Sequence, residues 1–155
     1  PRPTDEHEGA YANAVSAALT LAMHRPDCAP PAQVLPAVLG WLPVRYDEEE
    51  ARSIHKRLLM LAAAGNGDLL GANKERLPRV LAILADAIAA CYRAPNEDGF
   101  DGDEEVEELV DGDTTLGVAR LFDQLKMNLQ PQAMEKLWQQ LNPPQQKILT
   151  LLVGS

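Results

Sequence analysis

The chain has 155 residues, with 14 Lys and Arg against 23 Asp and Glu, for a formal net charge of −9 and a pI near 4.7. That balance repels a phosphate backbone and excludes nucleic acid as the main partner, while it favours a basic peptide or protein surface. Apolar residues make up 46% of the sequence but are mostly Ala and Leu, and aromatic residues only 5%, so the composition favours helices over sheets.

No apolar run approaches the roughly 18 residues a membrane span needs. Two cysteines, Cys28 and Cys91, form no disulfide framework and read as reduced core residues of a cytosolic or nuclear protein. The start, Pro1-Arg2-Pro3-Thr4, is no signal peptide. The missing first Met fits a piece of a longer chain, or a processed Met. Residues 1–7 are expected to be a disordered end.

In chain order, the first helix is expected over 8–24, where Tyr11, Val15, Ala18, Leu19, Ala22 and Met23 share a face. Pro26 stops it, because the residue before a proline avoids the helical region. A shorter helix spans 33–41 and ends before Pro43. The third starts at Asp47, which stands in capping-box spacing with Glu50, and carries Ile54, Leu58, Leu61 and Ala62 to a stop at Gly65-Asn66-Gly67. The fourth takes Asn73 as its N-cap and has the clearest stripe: Leu77, Leu81, Leu84, Ile88 and Cys91.

From Pro95 to Asp113, ten of nineteen residues are acidic and three are glycine, so residues 94–113 are expected to form a flexible acidic loop, with a helical turn near 106–110. The fifth helix begins near Thr114 or Thr115 and carries Val118, Leu121, Phe122, Leu125 and Leu129. The sixth spans 131–141, with Met134, Leu137, Trp138 and Leu141 inward. The seventh opens with Asn142 as cap and Pro143 at the first helical position, and runs to Leu152. Trp41 and Trp138, at helical spacing beside leucines, are expected in the core. No segment alternates as a half-buried strand does.

Leu35-Pro36-Ala37-Val38-Leu39 returns as Leu77-Pro78-Arg79-Val80-Leu81, an offset of 42 residues that also aligns Leu42 with Leu84 and Leu19 with Leu61. A proline at the same place in two helices implies one architectural position, since it is costly outside the first turn. Periods of roughly 40–47 residues with two or three helices each mark HEAT and armadillo repeats. The expected fold is therefore all-α, an α-solenoid of about three HEAT-type helix pairs. Two lie within 8–93, at about 8–41 and 48–93, and an atypical third with a capping helix fills 114–155.

Further residues carry a resemblance. The run Arg25-Pro26-Asp27-Cys28, Val34-Leu35-Pro36, Trp41-Leu42-Pro43 and Glu48-Glu49 is similar to the C-terminal region of the importin-β superfamily, above all the importin-five branch. So are Asn73 followed by Leu77-Pro78, and the ending Gln140-Leu141-Asn142-Pro143, Gln145-Gln146, Leu151-Leu152. The likeness covers about residues 8 to 153; the acidic stretch has no clear place in it. It implies the C-terminal segment of a nuclear import receptor shuttling between cytoplasm and nucleus. Such a receptor binds basic cargo bearing nuclear-localisation signals, and meets the GTPase Ran and nucleoporins through its full length. No Ran or cargo residue carries over to a position in this sequence. The competing reading is a HEAT-type scaffold or adaptor of a complex unrelated to transport.

Catalysis finds no constellation: His7, His24 and His55 are scattered, and no nucleophile elbow, His-Glu-x-x-His or phosphate loop occurs. No enzyme activity and no cofactor are expected. His24 and Cys28 are four apart but straddle Pro26 and lack two further zinc ligands. Aligning Asp101 and Asp103 with a calcium loop puts Val106 where glycine is required and Gly112 where glutamate is. The remaining candidate is an acidic surface for a basic partner: Asp98, Asp101, Asp103, Glu104, Glu105, Glu107 and Glu108. A solvated insertion without a partner is the plainer alternative.

Overall fold

The computed structural model describes residues 8–45, 47–91 and 108–153, and among these the regular structure is all helical, without strands. The helices are α1 (Glu8–His24), α2 (Pro31–Leu39), α3 (Glu48–Ala63), α4 (Gly67–Leu70), α5 (Leu77–Cys91), α6 (Gly112–Asn128), α7 (Pro131–Gln139) and α8 (Pro143–Val153).

Local chemistry accounts for most boundaries. The Asp47 carboxylate accepts from the Glu50 N–H at 3.2 Å, and Glu48, Glu49 and Glu50 stand where the helix dipole favours negative charge. Asn142 and Gln145 cap α8 reciprocally, at 2.9 and 3.0 Å. The Gly65-Asn66-Gly67 stop holds, but the Asn66 side chain then accepts from the Leu69 N–H and starts α4, a helix the sequence reading lacks. Asn73 caps nothing. Its N–H donates to Glu75, residues 71–76 are largely turn, and α5 starts at Leu77.

The expected identity of the two prolines fails here. Pro36 lies inside α2, which begins at Pro31, whereas Pro78 lies in the first turn of α5, where its missing N–H breaks no helical bond. The burial pattern survives: Leu35 and Leu77, Val38 and Val80, Leu39 and Leu81, and Leu42 and Leu84 are all buried, in register at the 42-residue offset.

In the packing, α1 lies against α2 and α3, and α3 also meets α4, α5 and α6. Helix α5 packs on α3, α6, α7 and α8, and α6 on α8. Most of the circumference of α5 is buried, from Leu77 to Ile88. Arginines reinforce the seams. Arg57 of α3 donates to the Ser16 and Thr20 hydroxyls of α1 at 2.7 and 2.9 Å. Arg79 of α5 reaches the carbonyls of Leu39 and Leu42 at 3.4 and 3.5 Å, where α2 ends and its orphan acceptors gather.

Four further expectations are overturned. Cys28 is exposed in the turn after α1, because Pro26 ends the helix before the chain returns to the core. Trp41 is 53% exposed, its ring centroid 5.5 Å from that of Tyr11, because α2 stops at Leu39 and Trp41 falls past the inward stripe. Met23, at 38% exposure, lies on the outer edge of α1. Finally, the end of the acidic stretch is not a loose loop. Leu109 and Val110 are buried, residues 108–110 are non-helical, and Asp111 caps α6 through the Thr114 N–H at 2.7 Å. Two apolar residues suffice to dock a segment whose composition is otherwise polar. Trp138, expected in the core, is half-buried and packs against it, stacked on Phe122 at 5.7 Å.

Candidate functional site

Of the seven candidate acids, Asp98, Asp101, Asp103, Glu104, Glu105 and Glu107 lie outside the described residues, as do the expected disordered end at 1–7 and Val106. Glu108 is described, and it faces its own fold. Its N–H donates to Glu48 Oε1 at 3.3 Å, its carbonyl accepts from Arg52 Nη1 at 3.1 Å, and its carboxylate lies 3.7 Å from the same guanidinium. Arg52 is also 3.9 Å from Glu48. These exposed ion pairs are weak, each worth about 0–1 kcal/mol.

The next residue meets a stronger contact. The Leu109 carbonyl lies 2.8 Å from Nδ1 of His55, which is wholly buried on α3. A carbonyl only accepts, so Nδ1 carries the proton. The other ring nitrogen, Nε2, accepts from the Val44 N–H at 3.2 Å. The imidazole thus joins three segments: the chain before α3, α3 itself and the approach to α6. Burial pushes the His55 pKa down to about 4, against a smaller opposing effect of the Leu109 carbonyl, so the ring is neutral at pH 7. With both nitrogens committed to backbone groups, His55 has no lone pair or proton to offer a substrate or a metal.

The sequence did signal this role, though only its catalytic version was tested. His55 lies on the inward stripe with Ala51, Ile54, Leu58 and Ala62, all buried. A polar residue on that face needs internal partners.

Elsewhere, partial burial lowers the Arg57 pKa and raises that of Tyr11. Arg25 holds the Asp27 carboxyl below its ordinary pKa across a 3.3 Å contact in an exposed turn that includes Cys28. Among the described residues no three His, Cys, Asp or Glu side chains are placed to hold a metal ion, and no helix is long and apolar enough to cross a membrane. Exposed apolar side chains include Leu21, Met60, Leu116, Met127 and Leu151. No protein-family model matches the sequence.

Proposed function

We propose that this chain is the C-terminal segment of a nuclear import receptor of the importin-β kind, acting by binding a basic protein partner in a Ran-regulated cycle. The observation that carries the reading is the 42-residue register. Four pairs of residues at that offset are buried alike, three of them in α2 and α5 and the fourth joining Leu42, past the end of α2, with Leu84 of α5. With it come helix pairs whose first members, α1, α3 and α6, adjoin in succession, while α5 adjoins α8. Contact between successive helix pairs supports a stack of helical repeats, although α2 packs on α4 rather than on α5. The ordered motifs from Arg25 to Leu152 and the charge of −9 add the receptor family and the sign of its partner.

The test is the size of the native protein, blotted from source cells with an antibody to this region. A chain several times longer supports the receptor, since enclosing cargo takes many repeats. A chain of about this length removes it and leaves the small helical adaptor.

A further inference from the structure

The first helix pair carries almost no charge. Between Glu8 and Arg45 the only charged residues are Arg25 and Asp27, which pair with each other at 3.3 Å in the turn after α1, whereas 24% of the whole chain is charged. Its surface is nevertheless open to solvent. Ala10, Ala14, Ala17, Ala32 and Ala37 are exposed, and so are Leu21, at 46%, and Trp41, at 53%. A surface helix ordinarily sets charged or polar residues opposite its inward stripe.

The place of this face in the fold says what it meets. At 3.6 residues per turn, α1 presents three sides. Ala12, Val15 and Leu19 are buried inward. Ser16 and Thr20 face α3, where Arg57 donates to both hydroxyls. The third side carries Tyr11, Ala14, Ala18 and Leu21, at spacings of three, four and three, and Trp41 leans on it through Tyr11. In the row of helices α6, α3 and α1, the middle member is covered on both flanks. Its Leu59 meets Gly117 of α6, and its Arg57 meets α1. The outer flank of α1 is the next position in that row, and it is left open. The far end of the row is different: α6 exposes Asp113, Arg120, Asp123 and Lys126, the polar outer face that a terminal repeat needs.

We propose that Tyr11, Ala14, Ala18, Leu21 and Trp41 form a seam between repeats, covered in the native protein by the helix pair that precedes α1. The inference rests on the reading of this chain as a segment of a longer receptor, and it assigns the residues that join the segment to the rest. Alanines at the centre of the seam let a helix approach closely, since interaxial distance follows the size of the side chains at the contact. Tyr11 with Trp41 at one end and Leu21 at the other supply the larger apolar area. No charge has to be buried.

Hydroxyl-radical footprinting of the native protein, purified from its source cells and sized in the same preparation, tests this. Each residue's oxidation rate is compared with its own rate in urea. Leu116 is the internal control, because it is also a leucine on a surface helix and is 51% exposed. A covered seam makes Leu21 about tenfold better protected than Leu116, with Trp41 protected to match, since core side chains are more than about 95% buried. A chain several times longer in which Leu21 oxidises as fast as Leu116 overturns the seam and leaves the receptor reading standing. A native chain of about this length removes the receptor reading and the seam with it, and protection of Leu21 in that short chain would assign the face to a second copy instead.

Discussion

A buried histidine with two backbone partners is more than a packing residue. Replacing it with Ala removes the ring and strands the Val44 N–H and the Leu109 carbonyl inside the protein. Each stranded group costs about 1–3 kcal/mol. His55→Ala should therefore lower stability by about 2–5 kcal/mol in urea unfolding at pH 7. His55→Phe, which restores most of the volume but neither hydrogen bond, should recover little of it. A full recovery by Phe would show that volume, not the two hydrogen bonds, is what the site needs. Arg57 makes the opposite case. Its contacts to Ser16 and Thr20 are short, but two of its three partners there are hydroxyls that water can replace. Its loss should be felt mainly at the α1–α3 seam.

At the scale of elements, Gly117 of α6 sits directly against Leu59 of α3. A Cβ built on Gly117 would stand 2.5 Å from Cδ2 of Leu59, so glycine is what lets these helices approach. Gly117→Val should destabilise the fold by about 1–3 kcal/mol, the usual cost of overpacking. Gly112→Ala, at the start of the same helix with nothing within 4 Å, should be neutral or slightly stabilising. Equal melting temperatures for the two variants would mean that α6 does not press on α3 as described. Helix α5 supplies the second element-scale test. Leu81→Ala, in a fully buried position, should cost about 2–5 kcal/mol, whereas Met60→Ala, 58% exposed on α3, should stay within about half a kcal/mol.

How far the sequence reveals these elements depends on how local the deciding physics is. The ends of α1, α3 and α8 are set by Pro26, by Asp47 with Glu50 and by Asn142, groups within a turn of what they act on, and all were legible; the reciprocal bond from Gln145 was not read. Trp41 and Asn73 were misplaced because a stripe of spacings does not say where a helix stops. The docking of residues 108–111 was hidden for another reason. Leu109 and Val110 look like noise in an acidic stretch until α3 supplies Arg52 and His55, more than fifty residues away in sequence. The candidate acids themselves were chosen by composition, which locates charge but no partner.

At the scale of the whole molecule the question is whether that charge recruits anything. Formal charge is −9 overall, so some attraction to a basic peptide is expected from the global field alone. A local site must show more than that. Glu108 should be left intact in the test, because its backbone and carboxylate make contacts with Glu48 and Arg52. The informative variant replaces Asp98, Asp101, Asp103, Glu104, Glu105 and Glu107 with Ser. A control replaces six exposed acids elsewhere with Gln, for example Asp27, Asp68, Glu75, Asp123, Glu49 and Glu135, so that both chains lose the same net charge. Titrated with a Lys/Arg-rich peptide at low salt, a local acidic site makes the first variant lose at least tenfold more affinity than the control. Much of that gap should close at physiological salt, where the Debye length falls to about 8 Å. Equal losses in the two variants would assign the attraction to net charge and remove the acidic stretch as a binding site. The helix register, which does not depend on it, would then be the stronger support for a macromolecule-binding role.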